Sequence, residues 1–121
     1  MIAPLAAVAF AALIQTAPAN EQIIDDKASE IFELTTRMMF IMGSCNSAFS
    51  SAIGQDFKAQ AFSQIDQNSE PGRIFLESWD AGSKSPQAAS MTLETCAAAM
   101  QPIAEEMQRL SEEIQPLLPQ D

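Results

Sequence analysis

The chain of 121 residues contains no histidine, no tyrosine, a single tryptophan, and six basic residues against sixteen acidic ones. Each shortage excludes something. Without histidine, the commonest general base and metal ligand is gone. With a net charge of −10, the chain repels phosphate backbones and anionic lipid, so neither nucleic-acid binding nor electrostatic membrane docking is expected. Serines are plentiful, but no Ser-x-x-Lys motif replaces the missing histidine as an activating base. Zinc, calcium-loop and phosphate-loop spacings are also missing. The carboxylate pairs Asp25/Asp26, Glu105/Glu106 and Glu112/Glu113 are sequence neighbours, and neighbours on a helix point about 100° apart, so they do not share a proton. The expectation is a protein that is not an enzyme and carries no cofactor.

What the chain does have begins with an uncharged head. Every charged residue lies after position 20, and Ile2 to Ile14 is an apolar run broken only by Pro4. Ala17-Pro18-Ala19 follows, with small residues where signal peptidase requires them, so residues 1–19 read as a secretory signal and 20–121 as one mature domain. The first basic residue is Lys27, which leaves the amino terminus alone to supply positive charge ahead of the run. Thirteen helical residues cover roughly 20 Å of a hydrocarbon core about 30 Å thick, so the run is too short to span a membrane. Residues 42–45 superficially resemble a lipoprotein box, but Glu30, Glu33 and Arg37 interrupt the apolar stretch that such a box needs. The expected location is therefore the periplasm or the medium, with no membrane span in the mature chain.

The mature segment is apolar enough to fold, since hydrophobic residues make up 47% of the chain. No stretch alternates with period two, whereas helical spacing recurs throughout, so the expected class is all-α: a small helical bundle of about four helices. The segments fall near 21–53, ending at Gly54; near 55–66; near 70–81, capped by Ser69 and ended by Gly82; and from 87 or 91 to 115, where Pro102 should kink or break the helix. Both long helices carry heptad seams. Ile24, Ile31, Met38, Cys45 and Ala52 form one, and Leu93, Met100, Met107 and Ile114 the other, with Cys96, Ile103, Leu110 and Leu117 between them.

Two cysteines in an exported chain are most simply one disulfide, Cys45–Cys96. If the first and last helices are antiparallel, that bridge sets Ile24 opposite Leu117 and both seams begin and end together; a parallel pair would leave most of each seam uncovered. The shorter second and third helices then form a hairpin whose Phe and Trp residues pack onto the outer pair.

The same register sorts the charge. Residues 21–33 hold five acids and one base, as do residues 105–121, so most of the net charge gathers at the end away from the disulfide. Arg37 and Arg109 sit at i,i+4 spacing from Glu33, Glu105 and Glu113 and should offset part of it. Asp25, Asp26, Glu30, Glu105, Glu106, Glu112 and Glu113 are the candidate contact surface, and its expected partner is another protein, of basic character. An inhibitor, an assembly accessory or a small chaperone would fit. In the chaperone case, protonating the cluster below about pH 4 opens the bundle and bares apolar surface. An alternative is a soft-metal carrier for Cu(I), using Met38, Met42, Met100 and Met107, although methionine at a seam is also ordinary core filler and a disulfide would withdraw the two thiolates.

Overall fold

The computed structural model describes the backbone of residues 2–118 and the side chains of residues 21–118. Five α-helices follow one another: α1 Ile2–Ser44, α2 Asn46–Ile53, α3 Phe57–Ala61, α4 Glu70–Ser83 and α5 Leu93–Ile114, with 3-10 turns at Pro86–Ser90 and Gln115–Leu117. No strand occurs among the described residues, and the all-α bundle expected from the periodicity is the fold. The side chains of residues 1–19, expected from the sequence to be a secretory signal, lie outside the described residues.

The long first and last helices are antiparallel and stapled. Cys45 and Cys96 form a disulfide with both residues wholly buried and their Cα atoms 6.1 Å apart. Eighteen residues before Cys45, the Lys27 ammonium donates to a Glu113 carboxylate at 2.6 Å, and Glu113 lies seventeen residues after Cys96. Two tie points displaced in opposite directions along the chain fix the antiparallel sense, within one residue of the register that sets Ile24 against Leu117.

α4 lies on a different face of α1 and runs parallel to it. Phe32 meets Phe75 with ring centroids 5.1 Å apart, the Ser78 hydroxyl donates to the Thr36 carbonyl at 2.7 Å, and Phe40 meets Gly82. The crossing is close because glycine stands on both helices. A Cβ on Gly43 would sit 2.1 Å from the Trp79 carbonyl oxygen, and one on Gly82 would sit 1.9 Å from the Phe40 carbonyl oxygen. Neither glycine ends a helix. Gly82, expected to stop the third segment, is a buried packing residue one position inside the end of α4.

The core fills the space above this crossing. Met39, Phe62 and Trp79 are buried together, with Met42, Phe57, Ile65 and Phe75 packed around them. Phe62 meets the Trp79 ring edge-on at 5.4 Å and Phe57 meets it tilted at 5.6 Å, arrangements that aromatic quadrupoles favour. The hairpin carrying these rings therefore packs on α1 and, through Phe57 against Phe49, on α2, not on both long outer helices as expected; no α5 side chain enters the cluster.

Other boundaries also differ from the sequence expectation. The segment near 21–53 is two helices, because α1 stops at Ser44 and α2 starts at Asn46. The Ser44 hydroxyl donates to the carbonyls of Phe40 and Ile41, and the Cys45 N–H divides between Ile41 and Met42. This local competition for carbonyls perturbs the regular ladder. The segment near 55–66 contracts to five helical residues, N-capped by Asp56, which accepts from the Lys58 N–H at 3.2 Å. The last helix begins at Leu93 because Thr92 and Thr95 form a reciprocal capping box. Pro102 lies within α5 and does not end it. Expected and observed caps agree at Ser69, whose hydroxyl accepts from the Gly72 N–H, and at Gly54, which takes the left-handed conformation at φ +68°.

The seams are shifted in phase. On α5 the buried line is Cys96, Ile103 and Leu110, whereas Leu93 is 46% exposed and Met100, Met107 and Ile114 are half-buried. On α1, Met39 rather than Met38 enters the core, and Ala52, now on α2, is exposed. A straight helix drifts about 20° per heptad, and the disulfide centres the α5 contact on the Cys96 line.

Candidate functional site

The antiparallel register places the charge-bearing parts of α1 and α5 together, about 27 Å from the disulfide at 1.5 Å per residue. Asp25, Asp26 and Glu30 on α1 and Glu105 and Glu112 on α5 are exposed; Glu106 and Glu113 are half-buried. Two of the nearby bases, Lys27 and Arg109, are occupied within the protein. Arg109 lies between two carboxylates, its Nε donating to Glu106 at 3.0 Å, its Nη2 also donating to Glu106, and its Nη1 donating to Glu113 at 2.5 Å. Lys27 holds the other oxygen of Glu113.

These contacts fix the protonation preferences. The hydrogen bond from Arg109 lowers the Glu106 pKa below the usual carboxylate range; Lys27 first, and then the charge of Arg109, does the same for Glu113. Arg109 is raised in turn, chiefly by its hydrogen bond to Glu106. All of these groups are partly open to water, which screens the pairs, so they act on local geometry more than on stability.

The remaining acids have no cation. Among the described residues, Glu21, Asp25, Asp26, Glu30, Glu33, Glu105 and Glu112 form no ion pair. Neutral amides stand in for bases on three of them: Gln22 donates to Asp26, Gln101 to Glu105 and Gln108 to Glu112. Of the i,i+4 pairs expected from spacing, only Arg109–Glu113 forms. Arg109 turns to Glu106 instead of Glu105, and Arg37 makes no ion pair. An open groove of about 340 Å³ lies between Glu30, Glu33 and Arg37 on α1 and Glu106 and Arg109 on α5, with Leu34 and Leu110 also lining it.

The four methionines of the soft-metal alternative are all half-buried. Met42 packs against Met39, Phe62 and Trp79, and both sulfurs of Cys45 and Cys96 are committed to the disulfide. No group of three or more Cys, Asp or Glu among the described residues is arranged to hold a metal ion.

Sequence reasoning missed the Lys27–Glu113 pair and the paired glycines. Both follow from placing α1 against its neighbours, and the visible hint was that Gly43 and Gly82 stand inside apolar helices where glycine costs about 1 kcal/mol relative to alanine.

No protein-family model, no curated protein and no solved structure matches the chain. No helix among the described residues is long and apolar enough to cross a membrane.

Proposed function

We propose that this is an exported, periplasmic or secreted protein that is not an enzyme and acts by binding another protein through the acidic end of its bundle. The observation carrying this reading is the pairing at that end: Lys27 and Arg109 are consumed by Glu106 and Glu113, Arg37 at the groove forms no ion pair, and among the described residues seven further carboxylates at this end form none either. Such a cluster repels itself and lowers stability, and a basic surface relieves that repulsion. The disulfide and the apolar head agree with export, because buried disulfides persist in oxidising compartments. Inhibition or assembly would use this surface directly, whereas a chaperone would use apolar surface bared when the cluster is protonated.

The test is affinity capture of the mature protein's partner from native envelope extract, followed by a binding titration over a range of salt. A basic partner whose affinity falls steeply as salt screens the surface is the expected result. A partner bound equally well at low and high salt removes the acidic end from the interaction.

A further inference from the structure

The bundle is held in two separate parts. No α5 side chain joins Met39, Phe62 and Trp79 or the residues around them; the aromatic core is built from α1, α3, the segment after α3 that carries Phe62 and Ile65, and α4, with Phe49 of α2 against Phe57 at 4.7 Å. Among the helices, α5 packs on α1, and its buried contacts are Cys96, Ile103 and Leu110. Its first turn is pinned covalently at Cys96 and capped by Thr92. Pro102 follows six residues later, exposed and inside the helix, with no N–H to offer the Ala98 carbonyl. Beyond it, residues 103–114 are held down by Ile103, Leu110 and the Lys27–Glu113 contact.

We propose that residues 103–114 form a hinged arm that opens about Pro102 while the disulfide keeps residues 93–101 docked. Opening exposes two buried side chains and leaves the aromatic core intact, so it is cheaper than global unfolding. By the antiparallel register, it uncovers Ile31, Leu34 and Met38 on α1 and Ile103, Met107 and Leu110 on the arm. Once undocked, twelve residues are too few to stay helical in water, so their amides become exchangeable. The disulfide returns the arm to the same register on closing. This device stands whether or not the acidic end holds a partner.

Native-state amide hydrogen exchange on the disulfide-bonded protein tests it. Amides 106–113 should share one protection factor, at least about a hundredfold below that of amides 36–43, with 97–101 tracking the latter. In Pro102→Ala, which restores the missing helical hydrogen bond, the gap should narrow by at least about tenfold. Three results overturn the proposal: a single protection factor shared by arm and core, a gradient falling smoothly toward the end of α5 as in simple fraying, or a gap unchanged in Pro102→Ala.

Discussion

Replacing Cys45 and Cys96 together with alanine removes the staple without leaving a buried polar group. Both residues are fully buried, and 51 positions separate them in sequence. Closing a loop of that length in the unfolded chain corresponds to about 4 kcal/mol of lost entropy at room temperature. That is a large share of the roughly 5–10 kcal/mol expected for a domain of this size. With a urea dependence of about 1.3 kcal/mol per molar, the midpoint should fall by about 3 M. Trp79 is the only tryptophan and is 1% exposed, so its fluorescence reports the aromatic core, while far-UV circular dichroism reports all helices. The reasoning also orders the losses: α5 owes its attachment to the bridge and to Ile103 and Leu110, so helicity should fall at lower urea than the Trp79 signal in the double variant. A midpoint shift under about 0.5 M would refute the entropic account. Coincident loss of both signals would refute the division into two parts.

Further outcomes are expected elsewhere. Gly43→Ala should destabilise by about 3 kcal/mol, since the new methyl meets the Trp79 carbonyl and cannot be accommodated by a side-chain rotation; a midpoint within error of wild type would mean that the crossing is not as tight as described. Leu110→Ala, at a wholly buried position, should cost about 3 kcal/mol and lower α5 protection more than α4 protection. Glu106 and Glu113 have lowered pKa values, so what they contribute is present above the ordinary carboxylate pKa and lost as the pH falls through their folded values. The stability difference between wild type and Glu106→Gln/Glu113→Gln should therefore be largest near neutrality and vanish in acid; a difference constant to pH 2 would contradict the assigned pairs. The same acid series with a hydrophobic dye tests the chaperone form of the function, which a compact, dye-silent protein at about pH 3 removes. For the soft-metal alternative, anaerobic Cu(I) titration of the reduced protein is expected to show binding no tighter than micromolar and indifferent to Met38 or Met100; tight binding lost in those variants would reverse that expectation.

Much of this architecture was legible because local rules and long-range constraint agreed. Period 3.6 identified helices, Ser69 and Gly54 marked their ends, and two cysteines on apolar seams sufficed to orient α1 against α5. The register followed because only the antiparallel arrangement covers both seams, and with it came the gathering of acids at one end. What was not legible depends on approach distance. Gly82 reads as a terminator when its helix is considered alone, and becomes a packing residue only when Phe40 of α1 lies 1.9 Å from its missing Cβ. Met38 and Met39 are equivalent by composition, and the position of α4 decides which one is buried. The pairing of Arg109 with Glu106 instead of Glu105 is a choice between near-degenerate rotamers on one helix face, decided by the position of Glu113 and Lys27. The interruption at Cys45 arises from hydroxyl hydrogen bonds that serine makes in some helices and not in others.

The central claim is that the placement of the acids, not their total number, makes the contact surface. Two variants of equal net charge separate these: Asp25→Asn/Asp26→Asn/Glu30→Gln, which neutralises the acidic end, and Glu70→Gln/Glu77→Gln/Glu94→Gln, which neutralises three exposed acids elsewhere. Each is used, beside wild type, to capture binding proteins from the native envelope extract under the same salt. The first variant should lose the basic partner that wild type retains, and the second should keep it. Equal loss in both, or retention in the first, would contradict the account.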